Sequence, residues 1–137
     1  MVKTFLGLEH QNRFRLMRAE LPELQRFDLS TVSLIYVLSG CPELNALIST
    51  AFHPEHGLDS ERALLICQKA ENDDIRKLGL VTVCMYANRS VSVQDLSHIK
   101  NDQHFELLIE AIQIKRRGLD DAAYSPAQDG YSTFNEN

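Results

Sequence analysis

Apolar residues recur every three to four positions through most of this chain, and proline, glycine and polar clusters interrupt them. Phe14, Met17 and Leu21, with Leu24 further along, mark the apolar stripe of a first helix starting near Leu8 and limited by Pro22. Arg13, Arg15, Arg18 and Glu20 take its remaining faces. Leu29 to Leu38 fits a second helix, capped by Asp28 or Ser30 and ended by Gly40. It is apolar on nearly every side, which predicts burial. Its β-branched residues leave a strand over Val32 to Leu38 as the competing reading. Pro42 and Glu43 open a third helix carrying Leu44, Leu47, Ile48 and Phe52, which Pro54 and Gly57 stop.

The residues from His53 to Asp59 read as a loop. Ser60 then caps a helix with Ala63, Leu64, Ile66, Cys67 and Ala70. Glu71 to Asp74 is a polar break, with Asp73 or Asp74 near the start of the helix through Ile75, Leu78, Val83 and Tyr86. Gly79 costs that helix up to ~1 kcal/mol relative to Ala. Ser92 to Ile99 makes one or two turns. The final helix is capped by Asn101 or Asp102. Phe105, Leu108, Ile109 and Ile112 form its stripe, and Leu107, Ala111 and Ile114 a second apolar edge. Lys115, Arg116 and Arg117 complement its dipole, and Gly118 follows its end. The pattern predicts an all-α bundle of about five or six helices over residues 1–118. Residues 119–137 form a polar, flexible C-terminal tail with too little apolar surface to offset its ordering entropy. Tyr124, Tyr131 and Phe134 leave open a short docking segment there.

Composition narrows the picture. One domain suits 137 residues, and 44% hydrophobic with 24% charged residues is ordinary globular usage, so no disulfide or metal staple is required. A net charge of −5 opposes non-specific attraction to phosphate and disfavours nucleic acid as a partner. No run approaches the ~20 apolar residues of a membrane span. The three cysteines, Cys41, Cys67 and Cys84, form no CxxC pair, and two lie in apolar runs. They suit a reducing cytoplasm.

Candidate chemistry is sparse. His53, Glu55 and His56 are metal-ligand types, although the histidines lack the i, i+4 spacing of HExxH. A solvated loop is the alternative. His98 and His104 stand six apart, and His10 is alone in the first helix, where it reads as a surface or partly buried residue. No GxSxG elbow, P-loop or dinucleotide fingerprint is present. A Cys–His pair stays open. Arg13, Arg15 and Arg18 form one basic cluster and Lys115, Arg116 and Arg117 another. Side by side, these helices would share a cationic patch suited to an acidic protein or a phosphate.

Two stretches carry a resemblance. Phe5-Leu6-Gly7-Leu8-Glu9-His10-Gln11-Asn12-Arg13-Phe14 resembles the opening FL-x-x-EH-x-x-RF of a family of small uncharacterised bacterial proteins. Phe105 through Ala111-Ile112-Gln113-Ile114-Lys115-Arg116-Arg117-Gly118 resembles its final helix, and Ala63-Leu64-Leu65 its middle one. The family is a domain of unknown function frequent in phage-like and other mobile-element contexts. The resemblance implies a compact helical domain and supplies no catalytic residues. The expectation is a non-enzymatic accessory or protein-interaction domain without a cofactor, binding an unidentified protein or itself through Arg13, Arg15, Arg18, Lys115, Arg116, Arg117, Tyr131 and Phe134. The alternative is a metal- or small-ligand-binding protein, with a hydrolase among its forms, built on His53, Glu55 and His56. A third reading, nucleic-acid binding through Arg15, Arg18 and Lys115 to Arg117, runs against the overall charge.

Overall fold

A computed structural model describes residues 5–118. Over these residues the chain is all-α apart from one small hairpin. The helices are α1 (Leu8–Ala19), α2 (Glu23–Arg26), α3 (Leu29–Gly40), α4 (Pro42–Ile48), α5 (Ser60–Gln68), α6 (Asp73–Tyr86), α7 (Val93–Ser97) and α8 (Asp102–Arg117). A 3₁₀ turn (Ser49–Ala51) leads from α4 into β1 (Phe52–His53), which pairs antiparallel with β2 (Gly57–Leu58). The six longer helices are those the periodicity predicts. The short helix α7 falls within the one or two turns expected over Ser92 to Ile99, and the one-turn helix α2 follows Pro22.

The segment Val32–Leu38 is helix, not strand. Every residue from Thr31 to Ser39 is buried, because α3 runs through the interior and touches α1, α2, α4, α6 and α8. A helix packed all round needs apolar residues on every face. The Asp28 carboxylate accepts from the Thr31 amide at 3.0 Å and satisfies one orphan donor at its start. Two buried hydroxyls are also paired: Ser33 Oγ donates to the Ala111 carbonyl on α8 at 2.9 Å, and Ser39 Oγ to the Tyr36 carbonyl at 3.0 Å.

The caps agree with the sequence reading except on α5, where the cap lies one residue earlier. Asp59, not Ser60, caps α5 through the Arg62 amide. Asn72, ahead of Asp73, caps α6 through Ile75. Asn101 caps α8 through His104, and Ser92 with Asp95 forms a reciprocal capping box on α7. The helix expected to continue to Phe52 ends at Ile48, and the segment expected as a loop holds the β1–β2 hairpin.

Two apolar stripes shift. On α1 the buried line is His10, Phe14 and Arg18, while Leu24 lies on α2 and is 90% exposed. On α8 the buried line is Leu107, Leu108, Ala111 and Ile114. Phe105 and Ile109, expected on the core stripe, are left 39% exposed.

Candidate functional site

The basic residues come first, since the sequence assigns them to binding. Arg18 is not on an exposed face: it is 1% exposed, its Nε donates to the Arg26 carbonyl at 3.1 Å, and its guanidinium lies 5.1 Å from the Phe27 ring centroid. The reason is position, since it stands four residues after Phe14 on the buried side of α1. Arg13 is half-buried, with Nε donating to the Ser39 carbonyl at 2.7 Å in the last turn of α3. Lys115 donates to the Met85 carbonyl in the last turn of α6, and burial lowers its pKa. Arg26 reaches the Ala19 and Leu21 carbonyls at the end of α1. Cations therefore sit on carbonyls at or just past the negative ends of neighbouring helices, where both hydrogen bonding and the dipole favour them. Arg15 pairs with Asn12, Arg116 with Gln113 at 3.3 Å, and Arg116 and Arg117 are exposed. The interior helix α3 packs against both α1 and α8, and Arg13, Arg18 and Lys115 each reach a different backbone carbonyl, those of Ser39, Arg26 and Met85. Tyr131 and Phe134 lie outside the described residues.

His10 is buried at 2% exposure, not a surface histidine. Its Nδ1 accepts from the Leu6 amide and its Nε2 lies on the Tyr36 carbonyl, each at 3.0 Å. Those partners assign the neutral Nε2–H tautomer. Burial lowers its pKa to about 4, against a smaller raising effect of the Tyr36 hydrogen bond. Phe5 and Tyr36 pack on the ring, and Phe14 packs on both of them. His10 and Arg13 thus anchor α1 to the end of α3.

The two downstream histidines part company. His98 is exposed and lines a surface hollow with Lys77 and Asp95. The His104 Nε2 stands 3.9 Å from Cys41 Sγ, while its Nδ1 is buried without a hydrogen-bond partner. Desolvation lowers the pKa of His104 and raises that of Cys41. At neutral pH the pair is a thiol and a neutral imidazole. A thiolate nucleophile needs the opposite shifts.

His53, Glu55 and His56 do come together. All three are exposed at the tip of the hairpin, with one ligand atom of each within 4.8 Å of the others. The two imidazoles stack, centroids 4.5 Å apart and planes at 25°.

One concavity among the described residues was not foreseen. Phe5, Leu6 and Tyr36 wall a groove whose other side is Phe105, Glu106, Ile109 and Glu110 of α8, with a volume of about 380 Å³. The exposed pair Phe105 and Ile109 supplies its apolar surface, and Glu106 and Glu110 follow each in sequence as an acidic rim. The available signal was the width of the apolar arc on α8, too broad for one buried face. Burial, together with the nearby Glu110 and Glu106 carboxylates, raises the Tyr36 pKa, so the phenol stays protonated.

Comparison with known proteins finds no matching family model, no matching curated protein and no matching solved structure. Among the described residues no helix is long and apolar enough to cross a membrane.

Proposed function

We propose that this chain is a non-enzymatic accessory domain of the cytoplasm that docks a partner protein in the groove between its N-terminal segment and α8. One observation carries the reading: Phe105 and Ile109 stand half-open on a concave surface bordered by two carboxylates. Singly exposed apolar residues such as Leu24 are ordinary. An apolar centre with a polar rim is the anatomy of an interface. The rim selects the partner's chemistry, a segment presenting apolar side chains flanked by Lys or Arg. Its negative charge argues against the chain's own acidic 119–137 segment as occupant. The cytoplasmic setting rests on the buried, unpaired thiols of Cys41 and Cys67.

The test is capture from host lysate, followed by affinity measurement with the purified binder. Two double variants are compared: Phe105→Ala with Ile109→Ala, and Glu106→Lys with Glu110→Lys. Both are expected to keep the helical circular dichroism and to weaken binding about tenfold or more, as truncation of interface anchors does. The charge reversal should also remove the salt dependence. A binder indifferent to both variants but lost on truncation after Gly118 sinks the groove reading and moves the site into residues 119–137. Self-association, read from light scattering, is tested with the same variants.

A further inference from the structure

We propose that the tip of the β1–β2 hairpin is a binding site for a borderline divalent transition ion, of which Zn²⁺, Ni²⁺ and Cu²⁺ are the fitting members. The donors are one ring nitrogen each from His53 and His56 and one carboxylate oxygen from Glu55. Two nitrogens and one oxygen suit this class of ion and not Mg²⁺ or Ca²⁺, which take oxygen ligands.

The hairpin holds the three donors on a fixed stem. Phe52 pairs with Leu58 and His53 with Gly57. The Asp59 amide donates to the Ala51 carbonyl at 2.8 Å, and the Leu58 amide to the Tyr86 hydroxyl at 3.0 Å. Gly57 has φ +82°, and a Cβ there would strike the same hydroxyl, so this turn and its seat on α6 both require glycine. The turn closes through the His56 amide on the His53 carbonyl at 3.2 Å, and Gln25 donates to the Glu55 carbonyl at 3.3 Å. A supported backbone with exposed side chains leaves the donors free to rotate onto an ion while the frame stays put.

The distances are within reach. Ligands placed tetrahedrally around an ion at ~2.1 Å stand ~3.4 Å apart. Donors lying within 4.8 Å of one another therefore close by at most about 1.4 Å, a side-chain adjustment. The two rings already stand side by side, with centroids 4.5 Å apart. One existing bond must yield, since the Glu55 amide donates to His53 Nδ1 at 3.1 Å. An ion at Nδ1 displaces that amide directly. An ion at Nε2 needs the Nδ1–H tautomer, which no longer accepts. Either way the Glu55 amide passes to solvent. With three protein ligands and solvent on the outer side, the ion keeps open coordination positions.

The test is calorimetry of untagged full-length protein with ZnCl₂ or NiCl₂, alongside amide NMR. One site of micromolar affinity is expected, reversed by EDTA. The NMR shifts should be confined to residues 51–59, with the Glu55 amide among the largest. His53→Ala and His56→Ala should each weaken binding tenfold or more, and His98→Ala should leave it unchanged. All three residues are exposed, so these variants fold. Two outcomes overturn the site: no heat and no shifts at millimolar metal, or binding that survives both the His53 and His56 substitutions, which would assign the ion to the thiols or to scattered surface carboxylates. Neither outcome bears on the groove at Phe105 and Ile109.

Discussion

Protonating His10 would destroy the acceptor for the Leu6 amide and place a charge against Phe5 and Tyr36. The folded pKa of about 4 lies below the 6.5 of a free imidazole. Between those values the unfolded chain binds the proton that the folded one refuses, so stability falls as pH drops from about 6.5 to about 4 and is flat above. The full shift corresponds to on the order of 3 kcal/mol. His10→Gln supplies an acceptor and a donor without titrating. Its urea midpoint should fall less than the wild type's between pH 7 and pH 4.5, and parallel losses would show that His10 is not the group responsible. The sequence places His10, Phe14 and Arg18 four apart, on one helix face. That spacing carried the information that His10 and Arg18 are interior. It was outweighed by the usual solvation of charged side chains, because the Arg26 carbonyl and Phe27 ring that receive Arg18 become visible only once α2 folds back on α1.

Helices α5 and α6 cross at Gly79, where an added Cβ would stand 2.5 Å from Cys67 Sγ and 3.0 Å from Leu44 Cδ1. From sequence this glycine is only a propensity defect of up to ~1 kcal/mol. In the fold it is the residue that permits the close approach. The two accounts predict opposite signs for Gly79→Ala. Propensity alone raises stability, whereas overpacking against a fully buried sulfur lowers it by about 1–3 kcal/mol. We expect a net loss in thermal unfolding, relieved when Cys67→Ala is added, and a stabilised single variant would refute the steric account. Helix starts and caps were legible to within a residue or so because capping side chains and periodicity are local, whereas the end of α4 fell four residues short of the expected Phe52. Which arc of α8 faces inward was not. Both its apolar edges satisfy the period, and only the partner α3, reached through Ser33 and Ala111, 78 residues apart, decides between them. The groove follows from that decision, since the rejected edge is Phe105 and Ile109.

The molecule is organised around one interior helix, and its stability should be graded accordingly. α3 is buried from Thr31 to Ser39 and packed by α1, α2, α4, α6 and α8, so its amides reach solvent only when the surrounding helices separate. α2 and α7 have no buried residue of their own and are a single turn each. Isolated turns of that length are unstable in water and depend on what they lean against. Native-state hydrogen exchange should therefore place Val32 to Leu38 at the global unfolding free energy, with α8 amides around Leu107 and Ala111 close behind. The amides of α2 and α7 should exchange by local opening, largely unaffected by low denaturant. The apolar run of α3 announced a central element but not its neighbours, because uniform burial carries no direction. The neighbours are fixed by side chains far apart in sequence, His10 and Arg13 at one end of α3 and Ala111 along its flank. If α2 or α7 exchanges as slowly as α3, the fold is held at its rim as well as its centre. In that case α3 does not by itself account for the cooperativity of unfolding.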